Sequence, residues 1–162
     1  MIISDENSKP IIIDSINNPI VSDYFWVLDL QDIDFRLTKF LVNEEIHTPS
    51  LALNILGYVI ELPTSWNILV YSEETSQLDI VSVSEVTRGD FIALVFDHKN
   101  NKILPGQISA IAYNNYSPIH TPSLNKAQML CHALGPDCWV IVSPTDSYNK
   151  YLKNCIAGDL LS

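Results

Sequence analysis

The sequence predicts one α+β domain spanning residues 1–162: a small antiparallel, partly barrel-like sheet packed by helices. Three observations predict it. Apolar residues make up 47% of the 162-residue chain and charged residues 17%, enough for a core and far from the composition of a disordered chain. Runs of β-branched and aromatic residues, broken by polar turns, fill its middle. Segments with apolar residues at helical spacing flank that middle on both sides.

The elements follow in order. After a polar leader, Lys9-Pro10 opens the short apolar run 11–13, an expected edge strand, and Asn17-Asn18-Pro19 reads as a turn. Residues 24–30 (YFWVLDL) have strand composition. Asp32 or Asp34 can cap a helix whose apolar face is Phe35, Leu37, Phe40 and Leu41. A second helix is expected over 49–61. It is apolar nearly all round, with Asn54 the one strongly polar side chain before Glu61, so core or a partner must cover it. Residues 66–71, 78–83 and 91–96 then read as strands, with Gly89-Asp90 turning the chain into the third and His98-Lys99-Asn100-Asn101 turning it out toward Ile103. The last third predicts a helix over 123–134, a strand over 139–142 and a helix over 146–156. Tyr148, Tyr151, Leu152, Cys155 and Ile156 form the apolar stripe of the final helix, and Gly158 stops it.

The order of strand, turn, Gly89-Asp90, strand and hairpin resembles the small curled sheet of SH3-like barrels. It is similar also to the middle of hedgehog/intein-type domains. The resemblance covers roughly 35 residues and implies a local fold, without splicing chemistry.

The chain carries an internal echo at an offset of 73 positions. Ile46-His47-Thr48-Pro49-Ser50-Leu51 returns as Ile119-His120-Thr121-Pro122-Ser123-Leu124, and the same offset carries Pro63 onto Pro136, Trp66 onto Trp139 and Ile68 onto Ile141. The reading is a duplicated unit over about 46–68 and 119–141: a capped helix, a Pro-containing turn and a strand opened by Trp. Thr48 and Thr121 suit N-caps, and Pro49 and Pro122 suit the first helical position, where no donor is needed. Functionally, a duplication brings two imidazoles together, and histidine titrates near neutrality. The arrangement resembles the two-histidine phosphoesterases, which cleave phosphodiesters without a metal. That resemblance implies His47 and His120 as acid and base, with Thr48, Ser50, Thr121 and Ser123 holding phosphate.

Charge is distributed unevenly. Residues 1–97 hold 16 acids against 4 bases, a net −12, and residues 98–162 hold 3 acids against 5 bases, a net +2, so the whole chain carries −10. Such a front half repels duplex nucleic acid and anionic membranes and suits a basic protein partner. No apolar run approaches the 18 or so residues of a membrane span, and the leader MIISDENSKP lacks the pattern of a signal peptide. A cytoplasmic location is expected. Cys131, Cys138 and Cys155 are odd in number and form no C-x-x-C pair, so they read as core residues and no metal is expected. Asp29, Asp32 and Asp34 precede a predicted helix, but Leu37 stands where a calcium loop needs glycine. Arg88-Gly89-Asp90 is explained by its turn. No phosphate-binding glycine loop, zinc-protease motif or nucleophile elbow is present, and no cofactor is expected.

These readings favour a non-catalytic, acidic protein-interaction protein: an adaptor, inhibitor or assembly component. The expected partner-binding residues are Trp26, Asp29, Asp32 and Asp34 with Leu53 and Ile60 of the apolar segment. The alternatives are the phosphodiester hydrolase and a phage or particle structural subunit that self-assembles.

Overall fold

The computed structural model describes residues 24–32, 34–39, 43–97, 99–122, 124, 127–135 and 137–144. Within them the chain is β throughout, with ten strands and one short 3-10 helix. The strands are β1 (Tyr24–Asp29), β2 (Asp34–Lys39), β3 (Asn43–Ile55), β4 (Tyr58–Pro63), β5 (Asn67–Tyr71) and β6 (Leu78–Ser82). After the 3-10 helix Val83–Thr87 come β7 (Ile92–Asp97), β8 (Lys102–Pro122), β9 (Gln128–Ala133) and β10 (Cys138–Ser143). The α+β expectation is therefore corrected: the described chain is one antiparallel sheet, with no α-helix among its described residues.

The strands run in the order β2-β1-β9-β10-β5-β7-β8-β3-β4, with β6 added beside β5. The sheet curls strongly. Phe35 on β2, at one end of that order, puts its ring 5.4 Å from Trp139 on β10 and 5.0 Å from Phe96 on β7. Its middle strands are buried on both faces. Val140 and Val142 enter one core with Val27, Ile68, Val95 and Leu130, while Trp139 and Ile141 enter a second with Leu28, Leu69, Phe96 and Met129.

This double burial explains the strands that the sequence resolves and the helices that it predicts in error. Apolar runs buried on both faces lose the period-two pattern, and a short continuous run reads equally as buried strand or buried helix. Segment 49–61, predicted as a helix, is the β3–β4 hairpin. Leu51, Leu53 and Ile55 alternate into the core opposite Leu62 and Ile60, and Leu56-Gly57 makes a two-residue turn with φ of 54° and 83°. Positive φ at both turn positions matches the twist of the flanking strands. The helix expected after Asp32 is β2, paired with β1 from Asp29↔Asp34 to Tyr24↔Lys39. Part of the helix expected over 123–134 is β9. Its Gln128, Met129, Leu130 and Ala133 are good helix formers, but pairing with β10 and β1 overrides propensity. The edge strand 11–13 and the helix 146–156 lie outside the described residues.

β8 ties the molecule together. Residues 102–107 pair with β7, and from Ile108 onward the strand pairs with β3. Gly106 sits at the changeover, where a Cβ would lie 2.6 Å from Ile55 Cγ2 and 2.7 Å from Val95 Cγ2. Beyond it, β8, β3 and β4 form a three-stranded ribbon. The two copies of the echo meet in this ribbon, with Ile46 opposite Ile119 and the chains running antiparallel from that pair. Neither Thr48 nor Thr121 caps a helix, because both lie within strands. The duplicated tryptophans are both buried but in different cores, Trp66 in the first and Trp139 in the second.

Candidate functional site

The residues expected to bind a partner do not form one surface. Leu53 is fully buried and Ile60 nearly so, both in the first core, and Trp26 is 9% exposed in the second. The earlier dichotomy for the apolar segment thus resolves toward core at these two positions. The three aspartates gather at the β1–β2 turn: Asp29 and Asp34 are opposite each other in register, and Asp32 is exposed in the turn between them. Asp29 Oδ1 accepts from the Gln31 N–H at 3.0 Å, so this carboxylate shapes the turn.

His47 is exposed on β3, its ring stacked on Tyr116 at 4.7 Å between centroids. His120 lies opposite Glu45 in register, two positions along β8 from Pro118, the partner of His47. The backbones of the two histidines are thus diagonal neighbours across the β3–β8 pair. Ser50 is fully buried. Its hydroxyl donates to Glu61 Oε1 at 2.8 Å and lies 3.0 Å from the Ser117 hydroxyl, which is also buried. Thr48 is half-buried and pairs with Ser117 in the ladder. Ser123 lies outside the described residues, and of Thr121 the described feature is its backbone pairing with Glu44.

Cys131 is fully buried and Cys138 half-buried, and both thiols are pushed up in pKa by burial. Asp97 and Asp137 add to the effect at Cys138, with Lys102 opposing it. Cys155 is outside the described residues. Among the described residues no three His, Cys, Asp or Glu side chains gather as a metal site would require, and no helix is long and apolar enough to cross a membrane.

What the structure displays instead is a set of exposed apolar side chains on the ribbon, from the β3–β4 turn beside Ile108 to Tyr116 part-way along β8. Leu56, Tyr58, Val59, Ile111, Tyr113 and Tyr116 are large apolar side chains left 44–68% exposed, and all six belong to β4, β8 or the turn before β4. Tyr58 leans over Gly135 in the β9–β10 turn, where φ is +80° and a Cβ would come 2.7 Å from Tyr58 Cζ. Every residue from 109 to 116 on β8 is exposed. No Asp, Glu, Lys or Arg occurs between Lys102 and Lys126. None of these six residues is among the partner-binding residues that the sequence predicts. The signal available was the uncharged run with Tyr113 and Tyr116 at its centre.

A groove of about 540 Å³ lies beside the ribbon's base, lined by Tyr71, Glu73, Glu74, Asp90, Phe91 and Ile92 among others. Burial, and secondarily the Glu73 carboxylate, raise the Tyr71 pKa, so its phenol stays protonated across the neutral range. Comparison with family models, with curated proteins and with solved structures finds no match to this chain.

Proposed function

We propose that the chain is a non-catalytic protein-binding module whose contact surface is the β8-β3-β4 ribbon, where β8 and the β3–β4 turn expose apolar side chains. One observation carries the reading: six large apolar side chains, three of them tyrosines, stand exposed on the ribbon and its turn, while the middle strands of the sheet bury apolar residues on both faces. Large exposed apolar side chains supply the area that an interaction surface buries, and tyrosine is enriched at contact hot spots. Leu56 adds to the case. It occupies a left-handed turn position that asparagine or glycine fills at lower cost, and its side chain is 44% exposed. The turn carries that strain to present an apolar tip.

The acidic front half gives this surface electrostatic selectivity and favours a basic partner over nucleic acid. The phosphodiesterase reading draws less support, because the Ser50 hydroxyl is engaged by Glu61 and Ser117 and the His47 ring is stacked on Tyr116.

The test is affinity capture of the tagged chain from its native cell, identification of the stoichiometric partner, and titration with that partner purified. Tyr113→Ser/Tyr116→Ser is expected to weaken binding at least about thirtyfold, on the scale of two hot-spot side chains, with melting unchanged. Undiminished binding refutes the reading. A cyclic-phosphodiester activity lost in both His47→Ala and His120→Ala would replace it with the hydrolase, and assembly into large particles would replace it with the structural subunit.

A further inference from the structure

Among the described residues the ribbon has two edges that pair with no strand, the outer edge of β4, which carries Glu61 and Pro63, and the edge of β8 beyond Ile108, where the Tyr116 N–H is taken by Asn114 Oδ1 at 3.1 Å. The Ile108 N–H donates to Phe91 O at 3.0 Å, at the end of the β7–β8 ladder. Past this bond, β8 continues through residues 109–116 with β3 on one side and, among the described residues, no strand on the other. N–H and C=O groups alternate in direction along a strand, so the Ala110 N–H faces the same open edge as that of Ile108. Natural sheets guard such edges with lysine, proline or β-bulges; residues 109–116 contain no lysine or proline, and the register shifts opposite Thr48/Ser50 and Ala52/Leu53 leave the stretch beside Ile108 and Ala110 as its regular part.

The chemistry of an open edge specifies its occupant: extended backbone, with main-chain hydrogen bonds supplying affinity. Direction follows from the fold. Each strand pairing in the described sheet is antiparallel, and a strand added antiparallel to β8 runs in line with β7. Its C-terminal end then arrives at Phe91 and Ile92, which line the groove holding Glu73, Glu74 and Asp90. Three carboxylates at that end select a cation. A second copy of this chain fits poorly, because each copy carries −10 and the groove at the edge's end is itself lined by Glu73, Glu74 and Asp90.

We infer that the open edge of β8 binds an extended segment of a partner protein by antiparallel strand addition, the segment ending in lysine or arginine that enters the Glu73–Glu74–Asp90 groove. The inference rests on the protein-binding reading and deepens it.

The test uses the full chain and three fluorescent peptides sharing a Thr-Val-Thr-Val-Thr-Val core: one with two lysines at its C-terminal end, one with them at its N-terminal end, and one with two C-terminal glutamates. Binding is read by fluorescence polarisation, and hydrogen exchange by mass spectrometry. The C-terminal-lysine peptide is expected to slow exchange in residues 109–116 and to bind at least about tenfold more tightly than either comparator at low salt, with the preference shrinking as salt rises. Ala110→Pro removes one edge donor at the position opposite Leu53 and is expected to weaken binding. Glu73→Gln/Glu74→Gln/Asp90→Asn is expected to abolish the lysine preference alone. The inference is overturned by unchanged exchange in residues 109–116 of the unmutated chain, or by equal affinity for both lysine peptides. Exchange in the unmutated chain decides even where Ala110→Pro fails to fold. Unchanged exchange, combined with loss of the native partner in Tyr113→Ser/Tyr116→Ser, overturns the strand addition and leaves the binding module standing.

Discussion

Gly106→Ala tests whether β8 hinges between its two ladders as tightly as the structure shows. The added methyl would lie 2.6 Å from Ile55 Cγ2 and 2.7 Å from Val95 Cγ2. Carbon pairs prefer about 3.5–4.0 Å, so each neighbour must retreat by about 1 Å. Neither can do so freely. Ile55 and Val95 are both fully buried in the first core, and β-branched side chains are stiff at χ1. Overpacking of this kind costs about 1–3 kcal/mol. At about 3 °C per kcal/mol for a chain of this size, the melting temperature falls by roughly 3–9 °C. The assay is urea unfolding followed by tryptophan fluorescence, since Trp66 belongs to the same core. A double-mutant cycle makes it specific: Val95→Ala removes one of the two clashing methyls, so Gly106→Ala should cost less in that background than alone. A Gly106→Ala protein within about 0.5 kcal/mol of the parent, the ordinary range for a surface change, would refute the packing argument.

Three other perturbations follow from particular residues. Leu56→Asn relieves the left-handed strain at φ 54° and is expected to raise stability by about 1 kcal/mol in urea unfolding while weakening partner binding, separating fold from function at one position. Gly135→Ala meets both φ +80° and the Tyr58 ring; it should cost about 1–2 kcal/mol, and Tyr58→Ala in the same protein should recover little of it, because the backbone share remains. Asp97 is held below the usual carboxylate range, chiefly by the Asn100 side-chain amide, which donates to Oδ2 at 2.8 Å. A lowered folded pKa gives stability that is present above the unfolded pKa of about 4 and is lost as pH falls through the folded value. Melting measured from pH 6 to pH 2 should therefore fall less steeply in Asp97→Asn than in the parent.

The strands at 24–30, 66–71, 78–83, 91–96 and 139–142 were legible, because aromatic and β-branched runs between polar turns leave few other solutions. The β3–β4 hairpin was not. Its alternation of Leu51, Leu53 and Ile55 is blurred by Ala52, and Leu56-Gly57 lacks the asparagine that usually signals a two-residue turn. The echo was legible as a repeat but not as a contact. The sequence shows that the two Ile-His-Thr-Pro segments are alike, whereas only the β3–β8 register shows that Ile46 and Ile119 face each other. The apolar segment drew attention to Leu53 and Ile60, which turn out to serve the core. The surface it helps to build lies at its turn and on β8. How far β8 runs beside β7 before it pairs with β3 alone is set by the β7–β8 and β3–β8 registers, which join segments apart in sequence.

The most direct test of the ribbon as a docking surface is hydrogen exchange of the full chain alone and in complex with its purified native partner. Slowed exchange concentrated in residues 54–59 and 109–116 is the expected result. Protection confined to the β1–β2 turn or another part of the sheet, with those two segments unchanged, would contradict it.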